Sequence, residues 1–166
     1  MTKFHGAPER FEAVADVVGK YFDLKNIKYV ADVAGGQGML CRVLRKQYNL
    51  ECEVIDPREY GVKGVERRIQ EYTEGMAEYY DLIIGLHPDQ ALKPVVFSAL
   101  VRPTILIPCC NYWSSEKMGA KLMRQDIKKW YHEHGISYIE EELNIDTPHR
   151  FALITNPPKG RNSNAR

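Results

Sequence analysis

The chain has 166 residues, 44% of them hydrophobic and 27% charged, with a formal net charge of +1. That length fits one ordinary domain, the composition is neither that of a disordered chain nor that of a membrane protein, and the charge gives no overall positive field to draw the chain to nucleic acid. No apolar run reaches the roughly 18 residues of a spanning helix, and the leading MTKFHGAPERFEAV lacks the regions of a secretory signal, so a cytoplasmic location is the default expectation.

Residues 8–22 place Phe11, Val14, Ala15, Val18 and Phe22 at helical spacing, with Pro8 suited to a first turn. Residues 27–33 form a short apolar run ending in glycines, and residues 39–48 return to helical spacing, which gives strand, tight loop, helix. Residues 51–55 and 81–86 read as further strands, closed by Asp56-Pro57 and His87-Pro88, whereas residues 65–73 fit helix and strand equally badly. Residues 90–101 are expected to be helical, 104–107 a buried strand, and 114–134 a long amphipathic helix capped by Ser114 or Ser115. Two strand-like runs, 136–145 and 150–155, then follow without a helix between them, joined by Asp146-Thr147-Pro148. One domain over residues 1–156 and a disordered basic tail over 157–166 complete the expected organisation.

Alternating strands and helices imply an α/β protein, with a mostly parallel sheet covered on both faces and an antiparallel hairpin at its end. This order resembles the Rossmann-like fold of the class I methyltransferases. The four cysteines, Cys41, Cys52, Cys109 and Cys110, show no CxxC spacing, so they are read as reduced thiols and no metal site is expected.

The strongest chemical signal is Asp32 followed by Ala34, Gly35, Gly36 and Gly38, between a strand and a helix. Glycines there allow close backbone approach, and the free N–H groups opening the helix favour an anion. The segment resembles the acidic-GxGxG pattern of class I methyltransferases, with Ala34 at the first glycine position. The resemblance implies S-adenosylmethionine as cofactor, its carboxylate on the loop and its ammonium facing Asp32. Asp56, with Pro57 after it, lies at the end of the second strand about 20 residues beyond the loop, where a carboxylate accepts hydrogen bonds from ribose hydroxyls. By fold analogy, adenine contacts are expected near Tyr72-Thr73-Glu74.

Ligands of open parallel sheets bind beyond the carboxyl ends of the strands, so Leu86-His87-Pro88-Asp89 and Pro108-Cys109-Cys110-Asn111 are expected to flank the reacting methyl. His87, Asp89, Cys109 and Asn111 are therefore the catalytic candidates, with His87 also beside the cofactor. The amine-methylating tetrapeptide of Asn or Asp, Pro, Pro and an aromatic is absent, which turns the expectation toward oxygen or carbon. Gly85-Leu86-His87-Pro88-Asp89, Pro94, Ile107-Pro108-Cys109-Cys110 and Thr147-Pro148-His149-Arg150 resemble blocks of the eukaryotic tRNA(Ser) uridine 2′-O-methyltransferases. That resemblance implies RNA, above all tRNA, as acceptor.

In such chemistry Asp89 or His87 is a candidate base, and Asp89 has an alternative role as helix N-cap. A rival mechanism uses Cys109 or Cys110 as nucleophile on a pyrimidine carbon. Tyr112 and Trp113 are candidates for stacking on a base or for a hydrophobic lid. Lys121, Arg124 and Lys128 lie in a basic stretch with Lys117 and Lys129, expected to be either a phosphate-binding face or a solvated one. Small size keeps open a noncatalytic cofactor-binding subunit of another protein, a homodimer, or an enzyme with a small-molecule or protein acceptor.

Overall fold

A computed structural model describes residues 8–160. Its elements in chain order are α1 (Arg10–Tyr21), β1 (Tyr29–Val33), α2 (Met39–Tyr48), β2 (Glu51–Ile55), β3 (Glu66–Arg68), β4 (Leu82–Leu86), α3 (Leu92–Ser98), β5 (Thr104–Ile107), α4 (Ala120–Glu133), β6 (Ser137–Glu142) and β7 (Phe151–Asn156). The strands form one seven-stranded sheet in the order β3-β2-β1-β4-β5-β7-β6. β7 runs antiparallel to both of its neighbours, and the remaining pairs are parallel.

Alternation along the buried strands sends successive side chains to opposite faces. Val30, Val54, Ile84 and Ile105 pack with α1 and α2, and Ala31, Ile55, Ile83 and Leu106 pack with α3 and α4. Two apolar layers therefore clamp the sheet and leave its carboxyl edge to the loops that follow β1, β2, β4 and β5. A buried polar knot supports the thin β3 side: Glu53 accepts hydrogen bonds from Tyr29, Tyr80 and Arg68, each at 2.8 Å. Burial alone would raise the Glu53 pKa, but these three donors outweigh it and hold the carboxyl below its ordinary value.

Several expectations require correction. Residues 65–73 hold a three-residue edge strand and no helix. The helix expected over 90–101 is a 3-10 turn, Asp89–Ala91, running into the shorter α3. Asp89 makes no side-chain cap hydrogen bond there and has φ of 51°, so it is not the N-cap. The long helix begins at Ala120, not Ser114, because Ser114 Oγ accepts the Glu116 N–H at 3.1 Å in a local turn. Cys41 and Cys52 are joined by a disulfide between α2 and β2, Cα to Cα 5.1 Å, so reduced thiols describe only Cys109 and Cys110. Cysteine usage thus gives no argument for a reducing compartment. No helix among the described residues is long and apolar enough to cross a membrane. Of the expected tail, residues 157–160 form coil and a turn, and the remainder, with Arg161 and Arg166, lies outside the described residues.

Candidate functional site

The loop after β1 is built around one carboxylate. Asp32 is 1% exposed, and a Cβ added to Gly35 would lie 2.3 Å from Asp32 Oδ2, so only glycine lets the loop fold over it. Ala34 takes φ of 53° where the family pattern has glycine, and its N–H donates to Ile55 O at 2.8 Å. Gly36 and Gly38 also have positive φ, and Gly38 is the residue before α2. Burial, with Asp56 adding repulsion and Arg67 partly opposing, pushes the Asp32 carboxyl up to about 7. A cation placed beside it would restore the charged form.

Two adjoining cavities occupy the carboxyl edge. One, of about 300 Å³, is lined by Asp32, the loop residues Ala34 to Gln37, Arg10, Phe11 and His87. The other, of about 510 Å³, is lined by Asp56, Pro57, Tyr72, Thr73, Pro94 and Tyr112. Ala34, Arg58 and Asp89 belong to both walls, so the cavities form one bent channel. Of the residues expected near adenine, Tyr72 and Thr73 line the second cavity, beside Glu71, and Glu74 is not on its wall. A larger cavity of about 860 Å³ opens at the opposite, amino edge of the sheet, away from every candidate residue.

Asp56 is 1% exposed and fully engaged. Its Oδ2 accepts the Gly36 N–H at 3.0 Å, while Arg58 donates through its backbone and side chain. Burial would raise the Asp56 pKa, but these hydrogen bonds, led by Arg58, hold it below its ordinary value. Arg58 also reaches Tyr60 Oη at 3.1 Å. Arg67 donates to Gly36 O and, at 3.2 Å, to Arg58 O, tying the β2 and β3 ends to the glycine loop.

The acceptor-side candidates converge from three loops. His87 and Asp89 follow β4, Cys109 and Cys110 follow β5, and His149 precedes β7. His87 Nε2 donates to the His149 carbonyl at 3.0 Å, which leaves its Nδ1 lone pair as the basic site of the ring. Burial lowers the His87 pKa, so the imidazole is neutral at pH 7. Cys109 Sγ donates to Asp89 Oδ1 at 3.3 Å and lies 3.7 Å from Cys110 Sγ. Burial and the Asp89 carboxylate push the Cys109 thiol up to about 12, the opposite of nucleophile activation.

Other candidates are held elsewhere. Asn111 Nδ2 donates to Glu116 O at 2.8 Å and its Oδ1 accepts the N–H groups of Trp113 and Ser114, so its whole amide shapes the loop. Tyr112 is 45% exposed on the larger cavity, whereas Trp113 packs among Phe97 and Trp130. Arg124 and Lys128 pair with Glu140 at 3.6 and 3.3 Å, and Arg124 lies over the Phe151 ring, which leaves Lys121 as the exposed member of the three. Arg10, Phe11, Arg58 and Tyr60 also line the channel; sequence reasoning had none of them as a site residue and read Phe11 only as an apolar helix position. Arg58 alone carried a legible signal, a cation two residues beyond Asp56.

No protein-family model and no curated protein sequence matches the chain. Solved structures do match its shape. The sugar N-methyltransferase KedS8 from Streptoalloteichus sp. ATCC 53650 gives a TM-score of 0.58 at 11% identity, covering 96% of each chain. The methyltransferase domain of bacterial CtHen1-CN gives 0.58 at 13% identity, over 89% of this chain and 96% of that one. A SAM-dependent methyltransferase from Aquifex aeolicus gives 0.55 at 16%, over 92% of this chain and 97% of that one. The chain has the class I methyltransferase fold. In this fold the channel at the carboxyl edge occupies the position from which ligands of open α/β sheets are bound.

Proposed function

We propose that this protein is an S-adenosylmethionine-dependent methyltransferase whose acceptor is a ribose 2′-hydroxyl of RNA, tRNA first among them. The observation that carries the cofactor half is the bent channel with one buried carboxylate in each arm, Asp32 in the smaller and Asp56 on the larger. Those arms suit a ligand with an amino-acid end and a nucleoside end. When bound, S-adenosylmethionine supplies a methyl group activated by its sulfonium. Asp32 accepts hydrogen bonds from the ammonium, the positive end of α2 at the glycine loop and the Arg10 side chain favour the carboxylate, and Asp56 accepts from the ribose hydroxyls.

For the acceptor half, support comes from the convergence of the blocks that resemble the tRNA(Ser) 2′-O-methyltransferases. His87 touches His149 and Asp89 touches Cys109, although these residues are 62 and 20 positions apart. A ribose hydroxyl becomes nucleophilic on losing its proton, and neutral His87, which lines the smaller cavity and has Nε2 committed to the His149 carbonyl, is the base we favour. A second reading, a small sugar-like acceptor, is favoured by the pairing of Arg124 and Lys128 with Glu140, which removes two cations from any phosphate-binding face.

Calorimetry with S-adenosylhomocysteine and with NADH tests the cofactor. Binding of the first and not the second is expected, and the reverse overturns the reading. Mass spectrometry of tRNA nucleosides, incubated with the protein and S-adenosylmethionine, is expected to show a new 2′-O-methylated nucleoside. An unmodified tRNA pool beside methylation of a small sugar would select the second reading.

A further inference from the structure

The loops that leave β4 and β5 start side by side, because Leu86 is in register with Ile107 and the His87 N–H continues the ladder to Ile107 O at 2.9 Å. Three residues after Leu86 stands Asp89, and two residues after Ile107 stand the consecutive thiols Cys109 and Cys110, neither in a disulfide. One ligand atom from each of the three lies within 4.8 Å of the others.

The separations are those of ligands that share one ion. With metal–sulfur bonds of about 2.3 Å and a metal–oxygen bond of about 2.0 Å, tetrahedral angles put two sulfurs about 3.8 Å apart and a sulfur and oxygen about 3.5 Å apart. Here the sulfurs are 3.7 Å apart, and Cys109 Sγ is 3.3 Å from Asp89 Oδ1. A thiol–carboxylate hydrogen bond accounts for the second distance alone. The sulfur contact is also that of a weak thiol–thiol hydrogen bond, and Cys110 Sγ still falls within 4.8 Å of the Asp89 carboxylate.

We infer that Asp89, Cys109 and Cys110 bind one thiophilic divalent cation of the Zn²⁺ type, with a fourth position left open by the protein, beside the cavities that Asp89 lines. Two thiolates select a soft cation over Mg²⁺ or Ca²⁺, and their ligation releases both thiol protons to solvent. The cluster is open to solvent, so an ion has a route in. Three protein ligands and a vacant corner are the pattern of a catalytic and not a structural zinc site. Asp89 lines both cavities, so the ion site borders them. An ion held by these three residues would supply Lewis-acid chemistry to an acceptor oxygen, with His87 as the base. That role rests on the methyltransferase reading, but the ion site itself does not.

Cobalt titration of metal-stripped protein, with the Cys41–Cys52 bond intact and two free thiols per chain confirmed by thiol titration, tests the site. One Co²⁺ per chain is expected, with a thiolate-to-cobalt charge-transfer band in the near ultraviolet and tetrahedral d–d bands in the visible, all bleached by one equivalent of Zn²⁺. Cys109→Ser and Cys110→Ser are each expected to lose the charge-transfer intensity of one thiolate and to weaken binding. Asp89→Asn, which tolerates the same positive φ, is expected to weaken binding with both thiolate contributions kept. Far-ultraviolet circular dichroism checks folding of each variant. A folded wild type with no band overturns the site, and so does a band that persists in the Cys109→Ser/Cys110→Ser double variant. Calorimetry with S-adenosylhomocysteine on the same samples reads the cofactor separately. Cobalt binding without adenosyl binding supports the ion site and counts against the methyltransferase reading.

Discussion

The guanidinium of Arg58 grips both carboxylate oxygens of Asp56, Nε to Oδ1 at 3.0 Å and a terminal nitrogen to Oδ2 at 2.7 Å. These are the lone pairs that ribose hydroxyls would use, and Arg58 stands where the two cavities join. Entry of an adenosyl ligand therefore exchanges one set of donors for another. Arg58→Ala leaves Asp56 with the backbone N–H groups of Gly36 and residue 58 and is expected to bind S-adenosylhomocysteine at least as tightly as wild type. Asp56→Ala strands the ribose hydroxyls and is expected to cost about 1–3 kcal/mol of affinity. Calorimetry on the two variants decides between a competing and an orienting Arg58, since an equal loss in both would make Arg58 part of the ribose site.

Asp32 predicts an unusual pH response. Below pH 3.8 its carboxyl is protonated folded or unfolded, whereas between 3.8 and about 7 the folded apoprotein holds a proton that the unfolded chain has released. Folding binds a proton in that window, so stability falls as pH rises through it, by on the order of 4 kcal/mol once the window is crossed. An ammonium beside Asp32 reverses the effect, because it favours the ionised form. S-adenosylhomocysteine affinity is thus expected to rise as pH passes through about 7, and Asp32→Asn to flatten both curves. Identical melting and binding profiles for wild type and Asp32→Asn would refute the account.

Two neighbouring glycines are expected to differ in their tolerance of alanine. At Gly35 the new methyl meets Asp32 Oδ2 at 2.3 Å and Cγ at 2.4 Å, a short buried side chain that cannot move aside. At Gly36 the nearest atom is Arg58 at 3.8 Å, and only the backbone φ of 59° resists, a strain of about 1 kcal/mol. Gly35→Ala is expected to abolish adenosyl binding and lower the melting temperature, and Gly36→Ala to do neither to the same degree. Equal behaviour of the two in a thermal shift assay would argue against the close fit over Asp32.

How much of this was legible depended on whether the determinant was local. α2 and β2 match their expected bounds because helical spacing and an apolar run each sit between clear breakers. The start of α4 was misplaced because Asn111 Oδ1 accepts two backbone N–H groups and Ser114 Oγ a third, which holds residues before Ala120 out of the helix. β3 was ambiguous since three exposed or half-exposed residues on an edge carry no apolar period. Asp32, Asp56 and the glycine loop were readable because strand ends position them. The Cys41–Cys52 bond, the Arg58 grip and the packing of Trp113 on Trp130 depend on which elements become neighbours, and no spacing encodes that.

The basic stretch of α4 now separates into two kinds of cation. Arg124 and Lys128 hold Glu140 of β6, while Lys121 is exposed. Lys121→Glu is expected to weaken RNA binding and to reduce the slope of log affinity against log salt by roughly one counterion. Arg124→Glu and Lys128→Glu are instead expected to lower the melting temperature, since each sets a carboxylate against Glu140. Salt-dependent binding of tRNA, measured beside thermal melts, checks both. An equal fall in salt slope for all three variants would place the whole face on the phosphates.

The choice between oxygen and carbon as methyl acceptor turns on His87 and Cys109. A carbon-5 mechanism needs a cysteine thiolate that bonds to the base, yet in the metal-free protein burial and Asp89 push the Cys109 thiol up to about 12, and a thiolate bound to a cation would have its lone pair engaged. A direct transfer to oxygen needs only a neutral base near the acceptor, and burial keeps the His87 pKa below its ordinary 6.5. Activity of an oxygen methylator that uses this base is therefore expected to hold its plateau down to pH 6.5 and to fall only at lower pH, as the imidazole takes up a proton. His87→Asn, which tolerates the φ of 50°, is expected to lose about 10²–10⁴ in rate and the acid limb of the profile with it. No covalent adduct with 5-fluoropyrimidine RNA is expected. An adduct that disappears in Cys109→Ser, with His87→Asn still active, would make Cys109 the nucleophile and the base a pyrimidine.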